Sequence, residues 1–137
     1  MPKPPLPPEL ESFLTQPNPC VIATIEPDGS PHTAATWYIW KDGRAEVNMA
    51  ASRKRLRHLE QDPRVSLTVV GGDDWYRHVT LQGRVIEMED DADLAGIDEL
   101  SRHYTDQPYA RRDQPRVQAV IEVERWHGWV HGRSWGT

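Results

Sequence analysis

The chain has almost no cysteine: Cys20 stands alone among 137 residues. That excludes a disulfide framework and a multi-cysteine metal centre. Behind Pro19, at the head of an apolar run, Cys20 reads as a buried structural thiol rather than a nucleophile. Positive charge is also in deficit, with 16 Lys and Arg against 21 Asp and Glu for a net charge of −5. General nucleic-acid binding favours a broad basic surface, so no nucleic-acid partner is expected. No run approaches the roughly 18 apolar residues of a spanning helix. The Pro-rich start has no apolar signal core, so a cytoplasmic protein without a membrane partner is expected. Phenylalanine is nearly missing too. Phe13 is the only one beside six Trp, in a chain that is only 37% hydrophobic, which points to a single domain whose core or pocket is completed by oligomerising.

What the chain does have is Ser52-Arg53-Lys54-Arg55-Leu56-Arg57-His58-Leu59, four cationic side chains within five residues of an acidic protein. Ser52 is a good N-cap for a helix over 53–61, with Leu56 and Leu59 on its inner face and Arg53, Arg55 and Arg57 available. A helix N-terminus offers free backbone N–H groups and the positive end of the helix dipole. Arginines added there make a seat for a phosphate. Taken as charge alone, the segment fits a solvated helix face balanced by Glu60 and Asp62 somewhat better.

Residues 1–8 read as an extended or disordered N-terminal arm, and residues 9–16 as a short helix with Leu10, Phe13 and Leu14 inward, stopped at Pro17-Asn18-Pro19. Strands are expected over 20–26, 31–40 and 45–49, joined by the turns Pro27-Asp28-Gly29-Ser30 and Lys41-Asp42-Gly43-Arg44 into an antiparallel meander. After the basic helix come strands over 64–70 and 76–87, the latter bent or bulged at Gly83. Helical spacing of Leu94, Ile97 and Leu100 predicts a helix over 90–104 with an acidic first turn, Asp90-Asp91-x-Asp93. A polar loop and a last strand over 117–123 lead into a Trp-rich tail, 126–137. The sum is a mainly β protein, a six-stranded antiparallel barrel with peripheral helices, whose barrel domain spans 9–125.

Several residues carry a bland reading beside a functional one. His127-x3-His131 has ligand spacing for one helix face, but Gly128 and Gly132 weaken a helix there and no third ligand is evident, so no metal is expected. Trp126, Trp129 and Trp135 read as packing residues. Trp37 and Trp40, three apart on one strand, face opposite sides. His32 reads as a hydrogen-bonded strand residue rather than a catalytic base.

The order of these elements resembles the split β-barrel flavin and deazaflavin oxidoreductases of the pyridoxamine 5'-phosphate oxidase-like superfamily, and most nearly the branch that uses the deazaflavin coenzyme F420. The resemblance rests on Pro27-Asp28-Gly29-Ser30-Pro31-His32, Trp37-Tyr38-Ile39-Trp40, the basic segment with Asp62-Pro63-Arg64-Val65-Ser66-Leu67, and Leu81-Gln82-Gly83-Arg84-Val85. Ile97, Asp98, Tyr104 and Arg116-Val117 fit as well, so it covers about residues 10–125.

It implies an FMN-binding-like split barrel forming a homodimer, with the cofactor in grooves between subunits. Ser52, Arg53 and Arg55 would hold the cofactor phosphate, with Arg57 in support. The family commonly has Lys where this chain has Arg55, which keeps the charge and adds a planar donor fork. The ring would lie against Thr33, Ala35, Thr36 and Trp37, and against Asn48, Met49 and Ala50. Trp75, Tyr76, Arg77 and His78 would come from the opposite subunit.

Hydride transfer is the cofactor's chemistry, so no catalytic triad is expected and no catalytic residue is assigned. Tyr38, Tyr76 and His78 are candidate proton donors. The implied activity is reduction of a small conjugated organic acceptor by reduced F420. Three alternatives stay open: an FMN-dependent oxidase or reductase of the same fold, an F420-binding or storage protein without turnover, and a haem-binding relative using His32, His58 or His78.

Overall fold

The structure, a computed structural model, describes residues 1–137. Eight strands, β1 (Cys20–Ile25), β2 (Pro31–Thr36), β3 (Ile39–Lys41), β4 (Arg44–Ala50), β5 (Arg64–Val70), β6 (His78–Asp90), β7 (Arg116–Val130) and β8 (Arg133–Trp135), are accompanied by three helices, α1 (Pro8–Leu14), α2 (Lys54–Gln61) and α3 (Ala95–Thr105). One sheet runs in the order β2-β1-β5-β6-β7-β4-β3, with β8 added to β7. Every pairing is antiparallel. No helix is long and apolar enough to cross a membrane.

The sheet therefore has eight strands where six are expected, for two physical reasons. The stretch 31–40 is not one strand, because Tyr38 breaks it. Tyr38 is fully buried, and its hydroxyl donates to the Leu14 carbonyl at the end of α1 at 2.6 Å. That anchor turns the chain out of β2, and β3 emerges at the opposite end of the strand order. The expected meander does not form: β1–β2 and β3–β4 are separate hairpins.

The second reason is the Trp-rich tail, which is not an appendage. β7 passes through residue 125 without ending. It then reverses at His131 and Gly132, both at positive φ, so that β8 pairs back from Gly128 to Val130. The N-terminal arm is ordered by the same region. Trp126 donates its backbone N–H to the Pro2 carbonyl and its indole N–H to the Lys3 carbonyl, both at 3.1 Å, and Leu6 is buried.

The core fills one face of the sheet. Alternation buries Val65, Leu67 and Val69 on β5, and Ile22, Val47, Leu81 and Ile121 from its neighbours join them. Leu10 and Leu14 of α1 and Leu59 of α2 close this core. Gly83 is a bulge as expected, with the β6–β7 register shifting between Gln82 and Gly83. A Cβ at that position would collide with the backbone carbonyl of Glu122.

Two helix starts differ from expectation. Ser52 does not cap α2. A turn closed by Arg53 N–H donating to the Ala50 carbonyl at 3.0 Å puts Arg53 itself at the cap position, with no side-chain cap bond. α3 begins at Ala95, because 87–90 still belong to β6. The acidic residues before it do cap it: Asp91 accepts from the N–H groups of Gly96 and Ile97, each at 2.9 Å.

This topology leaves an opening. β3 pairs with β4 only as far as Glu46, and β2 pairs only with β1. The edge of the later half of β4 that faces away from β7 and the outer edge of β2 are thus both free, and the basic segment follows directly from β4.

Candidate functional site

A cavity of about 940 Å³ occupies that opening. Thr33, Ala35, Thr36 and Trp37 form the wall on the β2 side. Asn48, Met49 and Ala50 form the β4 side, and Ser52, Arg53 and Arg55 close one end. These ten residues, 22 positions apart at their extremes in the chain, are brought together by the split between the sheet's two free edges.

The other candidates lie elsewhere in the single chain. Arg57 does not line the cavity; its Nη1 reaches the Ser52 carbonyl at 3.5 Å. Trp75 and Tyr76 are 67% and 64% exposed and stack on each other at 4.3 Å. Arg77 is paired with Asp73 and stands over the Phe13 ring. His78 places Nδ1 2.8 Å from the Tyr76 carbonyl.

The end of the cavity at α2 is electrostatically unbalanced. Arg53, Lys54 and Arg55 meet Arg116 there, and none of the four has a carboxylate within 4.0 Å. Arg55 is half-buried, and its buried Nε has no hydrogen-bond partner. Burial, and after it the charges of Arg53 and Arg116, pull the Arg55 pKa below its ordinary value. A half-buried guanidinium surrounded by like charge is a site that an anion would relieve.

Arg116 is aimed by Asn48. Its Nε donates to Asn48 Oδ1 at 2.7 Å, while Asn48 Nδ2 donates to Gln118 Oε1 at 2.7 Å and Asp91 Oδ2 at 3.0 Å. Both N–H donors of the Asn48 amide are thereby used, and its oxygen accepts from Arg116. It holds Arg116 beside it in the lining of the cavity.

The far wall is aromatic. Trp37 stacks on Tyr104 at 5.3 Å with an interplanar angle of 11°, and the Tyr109 ring meets it edge-on at 6.0 Å. Arg116 lies over the Tyr109 face at 4.9 Å. Tyr104 donates to the Asn18 carbonyl at 2.8 Å, and burial raises its pKa to about 12. Tyr38, a proton-donor candidate, has its hydroxyl committed to Leu14 and lies outside the cavity.

Sequence reasoning missed Tyr109, Arg111, Gln114 and Arg116, all of which line the cavity. The signal was Tyr109-x-Arg111, an aromatic and a cation in a loop that reads as merely polar. His32 also differs from expectation. It lines the cavity, and its buried Nδ1 has no partner. It meets the buried His58 ring edge-on at 5.2 Å, and His58 is held by Thr24 Oγ1 at 2.9 Å. Cys20 fits its structural reading, 2% exposed, with burial raising its pKa to about 12 against a smaller opposing effect of Arg55. His127 and His131 lie on β7 and its turn, not on a helix.

Residues 6–130 match the pyridoxamine 5'-phosphate oxidase family. The chain belongs to that family. Among solved structures, an F420 reductase is similar at 27% identity, with a TM-score of 0.81 over 88% of this chain and 98% of that one. A conserved hypothetical protein from Mycobacterium tuberculosis is similar at 27% identity, with a TM-score of 0.71 over 98% of this chain and 86% of that one. A heme binding protein from Mycobacterium smegmatis shares the fold, at 23% identity and a TM-score of 0.66, covering 98% of this chain and 59% of that one. No curated protein sequence matches. Family membership and the F420 reductase likeness agree with the resemblance read from the sequence. They support an oxidoreductase of the flavin and deazaflavin class within the pyridoxamine 5'-phosphate oxidase family.

Proposed function

We propose that this chain is a coenzyme F420-dependent oxidoreductase that reduces a small conjugated organic acceptor in the cytoplasm, working as a homodimer. One observation carries the reading: the buried, unpartnered Nε of Arg55 sits in a cation cluster without a carboxylate, at the end of a cavity walled by aromatics. Those residues suit a ligand with an anionic group at one end and a planar ring system beyond it.

Arg53 and Arg55 hold the phosphate of the cofactor, with Ser52 beside them and Arg57 behind Ser52. Asn48 keeps Arg116 turned toward the same anion. Thr33, Ala35, Thr36, Trp37, Met49 and Ala50 flank the ring, and Trp37, Tyr104 and Tyr109 limit water access to it. When bound, the reduced deazaflavin supplies the hydride. The chain's own contribution is position and electrostatics. Trp75, Tyr76, Arg77 and His78 are assigned to the partner subunit's groove, which their place outside the cavity of their own chain suits.

FMN is the second reading, and Arg116 is what favours it. A dianionic monoester wants a denser cationic cage than a phosphodiester does, and Arg116 makes the cluster four cations rather than three. Titration of the purified protein with F420 and with FMN, repeated with Arg55→Ala, decides between them. Tight F420 binding that weakens in Arg55→Ala is the expected result. Preference for FMN moves the assignment to the second reading, and unchanged affinity in Arg55→Ala removes the phosphate seat from both.

A further inference from the structure

Between α3 and β7 the chain has no regular element, and no backbone–backbone hydrogen bond involves residues 107–114. One carboxylate takes their place. Asp98, in the first turn of α3 and only 8% exposed, accepts at Oδ1 from the Tyr109 N–H at 2.9 Å and from Arg112 Nη1 at 2.8 Å. Its Oδ2 accepts from Arg112 Nη2 at 3.0 Å, and Arg112 Nη1 reaches back to the Tyr109 carbonyl at 3.1 Å. Beyond Thr105, which ties down Gln107, every polar anchor of the segment converges on Asp98.

The opposite side of the same segment faces the cavity through Tyr109, Arg111 and Gln114. Tyr109 is placed there by contacts to side chains alone, the Trp37 ring and the Arg116 guanidinium. A bidentate guanidinium–carboxylate pair that also takes a backbone N–H fixes direction as well as distance. An exposed ion pair would not do this. Without Asp98, residues 108–114 would regain backbone freedom, with only ring contacts to oppose it.

We infer that Asp98 is a positioning residue: through Arg112 it holds residues 108–114 against the cavity, so that Tyr109 and Arg111 form an outer wall that retains a planar anionic ligand seated at Arg55. The role of the wall rests on the cofactor-pocket reading above, whereas the anchor itself does not. Asp98 acts on the ligand's escape rather than on its seat. Its loss therefore speeds release while leaving the association rate near that of the wild type.

Two measurements test this. The first needs no ligand: timed trypsin digestion, following cleavage after Arg111 by mass spectrometry, in wild type, Asp98→Asn and Arg112→Gln. Cleavage about tenfold faster in both variants, with other sites unchanged, is expected from loss of the anchor, a tenfold change being one order in the opening equilibrium. Arg112 is at the exposed end of the pair, so Arg112→Gln keeps the question answerable if Asp98→Asn fails to fold. Unchanged cleavage after Arg111 overturns the anchor. The second measures release of F420 and, in parallel, FMN by stopped-flow fluorescence, with Tyr109→Gly as background. Faster release in Asp98→Asn that vanishes in the Tyr109→Gly background supports the wall. Additive effects overturn it, since Asp98 would then not act through Tyr109. A wild type that binds neither cofactor defeats the functional reading and with it the wall, while the digestion still judges the anchor by itself.

Discussion

Arg116 and Asn48 meet at 2.7 Å, Nε to Oδ1, and that contact joins the fold to the site. Asn48 sits on β4 next to β7, opposite Gln118 in the register, and its three side-chain bonds tie the sheet to α3 through Asp91. The same residue that closes the junction of β4, β7 and α3 also directs a cation toward the cavity.

Replacing Asn48 with Ala leaves the buried Asp91 and the partly buried Gln118 and Arg116 each short of a partner. A cost of about 2–3 kcal/mol is expected from unmade hydrogen bonds of this kind. Urea unfolding should show a lower midpoint with an unchanged slope. Anion affinity should fall as well, because Arg116 loses its aim. A variant with wild-type stability and wild-type affinity would show that the hub is not needed.

Asp98 makes stability depend on acid. Its hydrogen bond from Arg112, followed by that from the Tyr109 N–H, lowers its pKa from 3.8 to about 2. A carboxyl depressed in the folded state stabilises fully above its unfolded pKa, and this contribution is lost as the pH falls through the folded value. Stability should therefore decline between about pH 4 and pH 2 partly through this group. In Asp98→Asn that part of the decline should be absent, leaving a flatter stability–pH curve over the same window in circular dichroism melts. An equally steep curve in the variant would assign the acid sensitivity to other carboxylates.

How far the sequence could be read follows from which interactions are local. β1 and β5 show plain alternation, and Gly83 shows its bulge, because one pleat period carries the information. The order of the strands is not local. Whether 31–40 is one strand or two depends on Tyr38 finding the Leu14 carbonyl 24 residues away, and no periodicity records that. The same holds for the site. The basic segment shows itself by charge and so nominates Arg53 and Arg55, whereas Asn48 is nominated only through the family resemblance. Arg116 and Tyr109 arrive from a loop and strand more than 50 positions later, through the β4–β7 pairing. Ser52 illustrates a third limit: it has the right chemistry for a cap, but the turn at Ala50–Arg53 moves the helix start one residue past it.

Cys20 offers a test of burial at the cavity floor. With its pKa pushed up to about 12 and almost no exposure, it should be inert to a thiol reagent such as DTNB at pH 8, since the thiolate is the reacting form. One equivalent should react once guanidinium unfolds the chain. Rapid modification of the native protein would mean that the cavity opens to this depth in solution.

The N-terminal arm should contribute to stability out of proportion to its length. Leu6 joins the main core, and Pro2 and Lys3 supply the acceptors for both N–H groups of the buried Trp126. Leu6→Ala removes side-chain atoms from a packed site, with an expected cost of about 2–5 kcal/mol. Deleting residues 1–6 goes further, because the indole and backbone N–H of Trp126 then lose their partners and its ring meets water. The truncated chain should unfold at lower temperature than Leu6→Ala, with tryptophan emission already shifted to the red in its folded state. Trp126→Phe separates the two effects. It lacks the indole donor, so truncation in that background should cost less than in the wild type, the difference reporting the Lys3 bond. If truncation costs the same in both backgrounds, the hydrogen bond from the indole to the Lys3 carbonyl adds nothing to stability.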